Sequence, residues 1–382
     1  MTISLGVLMP LPLNGKGVGY SCSSIAAGMA GSDFRISIVT PRCKEKLSSV
    51  EVLETLPSWT SPIPYRWLRK KAACEIEAAF LSQMKHITAP PIGAYLWPDA
   101  SLATIEELRR RGIMIFREQF NCHTATAKRL LDNAYFRLGI RPQHGITDVH
   151  IEGERRVSSL ADYIISPSPL VSSSLLENGI PASKQLAATY GWDPERMSRA
   201  GKELPPCDGI TAIFVGAICV RKGAHLLLDM WARSGIKGRL VLVGEMEPAI
   251  SETCAHILAR DDVLTFDYMK NIGGLYRSAD VFLFPTLEEG SPLVIYEACG
   301  AELPVITTAM GGGHVIRDGR EGYIRDAYDR DGWIDTLREL ANDPDLRQRM
   351  AIAAADRAQQ FTWPLVAERR RKAMMACFGH DG

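Results

Sequence analysis

Glu289 and Glu297, with seven residues between them, are the side chains in this sequence best placed to do chemistry on a ligand, because of what surrounds them. Val281 to Phe284 is an apolar run too short for a helix and rich in strand formers. Pro285 ends it, and a loop carries Glu288, Glu289 and Gly290. Ser291-Pro292 then predicts a helix start, with Ser at the N-cap and Pro at the first helical position. Position N3 is Val294, so no carboxylate reaches back to the cap. The N–H groups of Leu293 and Val294 stay available for an anion, which the helix dipole favours. Glu297 lies about 8 Å further along the axis at 1.5 Å per residue. One acid before an anion site and one beside it suit a diphosphate with a hydroxyl-rich ring at each end, as in a nucleotide-sugar. On the two glutamates alone, a solvated Glu289 and an ordinary exposed Glu297 are the plainer reading.

Such a site needs sheets to hold it, and the chain builds an α/β framework twice. Residues 3–9 read as a strand, followed by a glycine loop containing Gly17 and Val18, a helix from about Ser21 to Met29, and a strand at 35–40. This is the opening βαβ of a Rossmann-like domain. The third glycine of G-x-G-x-x-G is absent, and Thr40-Pro41-Arg42 stands where a ribose-binding acid would end the second strand, which argues against a dinucleotide site. Strands follow at 94–97 and 113–117. The segment from Arg117 to Thr124 crosses a strand end, where α/β sheets bind ligands, and His123 there is either a cleft-facing histidine or a buried, satisfied one. Leu186–Tyr190 closes the first half. Pro205-Pro206 and Gly209 mark a linker at 198–209. The second half restarts with a strand at 211–215, the pair Arg221-Lys222 before Gly223, a helix from Ala224, and strands at 240–243, 263–266 (just before Tyr268), 281–284 and 303–308. The expected division is 1–197, linker 198–209, 210–362, and a closing helical segment 363–382.

At 382 residues the chain is long enough for two cores of about 190 residues each. Lysine plus arginine and aspartate plus glutamate are both 44, so net charge gives no case for nucleic acid. Nine scattered cysteines without Cys-x-x-Cys spacing argue for free thiols in a reducing cytoplasm and against zinc. The first residues lack the basic start of a signal peptide, and no apolar run approaches the ~18 residues of a membrane span. Residues 64–84 open with Pro-Tyr-Arg-Trp-Leu-Arg-Lys-Lys. That composition suits peripheral membrane contact and equally a solvated basic face around a buried Trp.

The run from Val281 to Tyr323 resembles the Glu-x7-Glu region of retaining GT-B glycosyltransferases of the family-four, group 1 type. Leu303-Pro304-Val305-Ile306-Thr307-Thr308, Gly311-Gly312-Gly313 and Asp318-Gly319-Arg320-Glu321-Gly322 match its buried strand, glycine turn and Asp-Gly-x-x-Gly hairpin. Ala161-Asp162-Tyr163-Ile164, Gly191-Trp192-Asp193 and Phe361-Thr362-Trp363 are similar to further family segments. The resemblance implies two Rossmann-like domains facing a cleft, the first binding the acceptor and the second the donor, with the C-terminal helix crossing back. It implies transfer of a sugar from a nucleotide-diphosphate donor to a glycan or lipid-linked acceptor with retention, without cofactor or metal, in a bacterial cytoplasm or at the inner membrane face. Lys222 and a family arginine would lie on the diphosphate; Ala217 occupies that arginine's place, and Arg221 is the substitute. Glu289 would hold the sugar, Glu297 the ribose, and Gly290, Ser291, Pro292, Leu293 and Val294 the phosphates. Tyr268 would lie near the base, Gly17 and Val18 near the distal phosphate, and His123 beside the sugar. Asp329-Arg330-Asp331 and Asp343-Pro344-Asp345 match Asp-x-Asp but read as turn and cap residues. A GT-B epimerase and a non-catalytic nucleotide- or glycan-binding scaffold are the rival expectations, with a Rossmann oxidoreductase behind them. Arg369-Arg370-Arg371-Lys372 near the end reads as a solvated face.

Overall fold

A computed structural model describes residues 2–87, 90–98, 100–198, 201–267, 269 and 271–379. Seven strands form the first sheet: β1 (Ile3–Leu8), β2 (Phe34–Thr40), β3 (Glu51–Glu54), β4 (Ile92–Leu96), β5 (Met114–Glu118), β6 (Tyr163–Ser166) and β7 (Gln185–Ala187). Six form the second: β8 (Ile210–Val215), β9 (Gly238–Val243), β10 (Val263–Phe266), β11 (Val281–Phe284), β12 (Val305–Thr307) and β13 (Gly322–Ile324). The spatial orders are β3-β2-β1-β4-β5-β6-β7 and β10-β9-β8-β11-β12-β13, and the pairings are parallel. Helices cover both faces, which is why the central strands read as unbroken apolar runs: all four residues of β11 are buried.

Each sheet reverses its winding once, between β1 and β4 in the first and between β8 and β11 in the second. Loops leaving the two strands that flank such a point diverge and open a crevice at the strand C-termini. In the second sheet those are the loops carrying Arg221-Lys222 and Glu288-Glu289. Topology therefore brings together residues nearly seventy positions apart in sequence.

The Trp363–Cys377 helix packs against the Gly17–Met29 helix of the first domain. Its Arg370 is 1% exposed, which corrects the solvated reading of the basic run. The guanidinium donates to Glu118 Oε2 at 2.8 Å and to the Tyr95 hydroxyl at 3.0 Å, and its other nitrogens reach the carbonyls of Ala188 and Thr189. Trp67 is 70% exposed, so the Tyr65–His86 helix has no buried Trp at that position. Asp329 and Asp343 accept from Gly332 N–H and Leu346 N–H at their helix starts and act as caps.

Candidate functional site

The β8 loop ends at Gly223, whose φ of +69° is left-handed; a Cβ there would fall 2.0 Å from the Pro285 carbonyl oxygen. Only glycine lets this loop lie flat against the end of β11. Leu287 N–H then donates to the Arg221 carbonyl at 2.9 Å, stitching the two loops together. Arg221 and Lys222 are thereby aimed at the residues beyond β11. Lys222 Nζ lies 2.6 Å from Glu289 Oε1, and Arg221 donates to the same oxygen at 3.0 Å. The lysine also sits 4.9 Å from the centre of the Phe284 ring.

Glu289 and its neighbour Glu288 are both buried but titrate in opposite directions. Burial pushes the Glu289 carboxyl up, and Lys222 with Arg221 outweigh it, so the group lies below its ordinary range. For Glu288 burial prevails over Arg221, and the nearby Glu289 adds to the rise. Glu288 also reaches the other domain: it accepts from Cys122 N–H at 3.2 Å and faces Asn121 Nδ2 at 3.5 Å. Gly290 allows that approach, since a Cβ there would meet the Phe120 carbonyl oxygen at 1.8 Å. Sequence reading placed Glu288 in the loop but gave it no role; its signal is only its position next to Glu289.

The helix after the loop is Leu293–Gly300, with Pro292 at the N-cap and no side-chain cap. Ser291 does not cap it. Its hydroxyl lies 2.5 Å from the Tyr296 hydroxyl, which in turn meets His314 Nε2 at 3.0 Å. Burial pushes the His314 imidazole down to about 4. With the helix beginning one residue later than expected, N3 is Ile295, and the consequence survives: among the described residues none accepts from the Leu293 or Val294 N–H. Two donors at the positive end of the dipole thus stand beside two cations. Glu297 is half-buried and accepts from the Tyr276 hydroxyl at 3.3 Å; burial raises it, with Arg196 opposing.

Other expected residues are not drawn into this cluster. His123 is fully buried; its N–H donates to Ser174 Oγ at 2.9 Å and its Nδ1 accepts from Ala125 N–H at 3.2 Å, so it caps the Thr124–Arg137 helix. Its Nε2 lies 3.6 Å from Glu154 Oε2. Burial holds the imidazole below its usual value, with Glu154 opposing. Gly17 and Val18 open the Gly17–Met29 helix, Gly17 exposed at φ +55°, and no hydrogen bond among the described residues joins them to Lys222 or Glu289. Tyr268 lies outside the described residues. A cavity of about 830 Å³ is lined mainly by residues of the first domain, with Cys219, Arg221, Glu247 and Glu288 contributed by the second.

Residues 209–343 match the sequence model of a family described as glycosyl transferases group 1. The D-inositol 3-phosphate glycosyltransferase of Arthrobacter sp. (strain FB24) is 25% identical over 92% of this chain and 88% of its own length. The sucrose-phosphate synthase of Thermosynechococcus elongatus has the same fold, with a TM-score of 0.74 at 16% identity over 99% of both chains. Anabaena HepE, solved in complex with UDP, gives 0.68 at 14% identity over 98% of this chain and 100% of that one.

Proposed function

From the premise that this chain is a GT-B glycosyltransferase of the group 1 family, we propose that it moves a sugar from a nucleotide-diphosphate donor to an acceptor hydroxyl with retention, using no metal or cofactor. The observation that carries the reading is the convergence of Lys222 and Arg221 on Glu289 beside the unbonded Leu293 and Val294 N–H groups. The diphosphate takes over the two cations and these backbone donors. Glu289, released from Lys222, accepts from the sugar hydroxyls and orients the ring. Gly290, Ser291 and Pro292 shape the approach, and Glu297 receives the ribose. The bond from the anomeric carbon to the diphosphate oxygen breaks, the acceptor oxygen bonds to that carbon, and the acceptor proton leaves with the diphosphate. Charge develops on the departing phosphate, where fixed cations and a helix mouth stabilise it best. Arg221 supplies the charge that Ala217 lacks. His123 acts only through the fold of its own loop.

The region 210–362 is in this reading the donor domain and 1–197 the acceptor domain, with a glycan or lipid-linked acceptor. The UDP held by HepE makes UDP-sugars the first donors to try. Residues 64–84 would touch the inner face of the membrane from the cytoplasm. The test is a panel of nucleotide-sugars incubated with the protein, with and without acceptor, followed by NMR of the anomeric proton. Hydrolysis or transfer giving the donor's own anomer is expected, falling about a hundredfold in Glu289→Gln while circular dichroism shows the fold retained. An isomerised sugar from donor alone would make the protein an epimerase. Binding without turnover of any donor would make it a scaffold.

A further inference from the structure

Glu288 has no part in the transfer described above, yet it is 2% exposed and sits where the two domains touch. Its two oxygens serve different partners. Oε1 accepts from the Cys122 N–H of the first domain at 3.2 Å. Oε2 lies 3.4 Å from a terminal nitrogen of Arg221 in the second domain and 3.5 Å from Asn121 Nδ2 in the first. The backbone carbonyl of Glu288 accepts from the same Arg221 nitrogen at 3.1 Å. Both carboxylate oxygens therefore face donors, which the ionised group satisfies and an amide does not, because a glutamine would turn its NH2 toward one of them. The contact is also at backbone range, because Gly290 lets the loop approach the Phe120 carbonyl. Donor affinity does not account for a carboxylate beside Arg221, since a negative charge next to the cations that receive a diphosphate weakens their pull on it. A bridge between the domains does.

We propose that Glu288 is a positioning residue for the transfer: its carboxylate links Arg221 to the Asn121–Cys122 loop, so that closing the cleft and setting the guanidinium against the donor diphosphate are one event. The proposal rests on the transferase reading, in which Arg221 supplies the charge missing at Ala217, and adds a residue that touches neither sugar nor nucleotide. Glu288 then acts on the closed complex that reacts and not on the first encounter with the donor. An interaction made only there lowers kcat when it is removed and leaves donor affinity in place.

Glu288→Gln keeps the size of the side chain and tests the bridge, with circular dichroism reporting the fold. Calorimetric titration with UDP, GDP and ADP comes first, and the tightest binder of the three is used throughout. The variant should bind it at least as tightly as the unaltered protein does. Small-angle X-ray scattering at saturation should give the variant a larger radius of gyration, its domains being less often closed. With the nucleotide-sugar that is turned over, kcat should fall about tenfold or more. In an Arg221→Met background the same substitution should cause no further fall, since the bridge has already lost one end. Weaker nucleotide binding by the variant, a matching radius of gyration, an unchanged kcat, or a loss that adds in full to that of Arg221→Met overturns the proposal and leaves the transferase reading standing. If none of the three nucleotides binds the unaltered protein, or no nucleotide-sugar is turned over, the transferase reading falls and this one with it.

Discussion

At Glu289 burial and charge pull in opposite directions, and Lys222 at 2.6 Å is the nearer of the two cations that decide the outcome. A carboxyl held below its unfolded value stabilises the fold above that unfolded value, and the contribution is lost as pH falls through the folded one. Lys222→Met keeps the length of the side chain and removes the charge. Burial then has only Arg221 to oppose it, so the Glu289 carboxyl rises, and the acid limb of a kcat/KM profile should move to higher pH. At neutral pH the loss of one charge-assisted contact to the donor should lower kcat/KM by about 10- to 150-fold. An acid limb that stays in place would mean that Glu289 is not the group titrating there. Of this cluster, the free helix donors follow from local loop and cap chemistry, whereas Glu289 and Lys222 stood out only through the resemblance to the glycosyltransferase motifs, since on their own each reads as a solvated side chain. Ser291 was misread because cap propensity knows nothing of Tyr296, whose hydroxyl claims its side chain. His123 could not be assigned from its position at a strand end, because its direction depends on Ser174 and Glu154, which are distant in sequence.

Strands and helices were readable wherever their periodicity is local. Val263–Phe266 and Val281–Phe284 fall where the apolar runs put them. Glu51–Glu54 escaped, being an exposed edge strand with acids at both ends and no buried face to imprint a pattern. The segment after Asp318 reads as a hairpin but is a turn feeding β13, which pairs in parallel with β12. The C-terminal helix was expected to cross back, but the buried pair that fastens it to the first sheet was invisible for a different reason: Arg370 and Glu118 are 252 positions apart, and the basic run around Arg370 has the composition of a solvent face. Removing one member of a buried pair leaves the other charged and dry. Arg370→Met should therefore cost about 3–5 kcal/mol in urea unfolding. The double variant Arg370→Met with Glu118→Gln should recover part of that loss, since no uncompensated charge remains. If the double variant is as unstable as the single, the helix is held by its apolar packing and not by this pair.

For the molecule as a whole, charge is balanced at 44 against 44, so any attraction to a membrane must be local. No helix among the described residues is long and apolar enough to cross a bilayer. What the first domain offers is a patch: Trp59 is 72% exposed and Trp67 70%, with Arg66, Arg69, Lys70 and Lys71 exposed around the second. The same Tyr65–His86 helix is tied to the cavity edge, because Glu77 accepts from Ser101 N–H at 2.9 Å, one residue from cavity-lining Ala100 and Leu102. A protein sitting on anionic lipid through this patch would hold that cavity close to the headgroups. Each cation near such a surface contributes roughly 1 kcal/mol, and the effect fades beyond a Debye length of about 8 Å at physiological salt. Cosedimentation with vesicles containing phosphatidylglycerol should therefore be strong at low salt, weaken as salt rises, and fall sharply with neutral phosphatidylcholine. Trp59→Ala with Trp67→Ala should weaken binding even at low salt, since indole rings anchor at the interface independently of charge. Equal sedimentation with neutral and anionic vesicles, or no effect of the paired tryptophan substitution, would rule the patch out as a membrane contact.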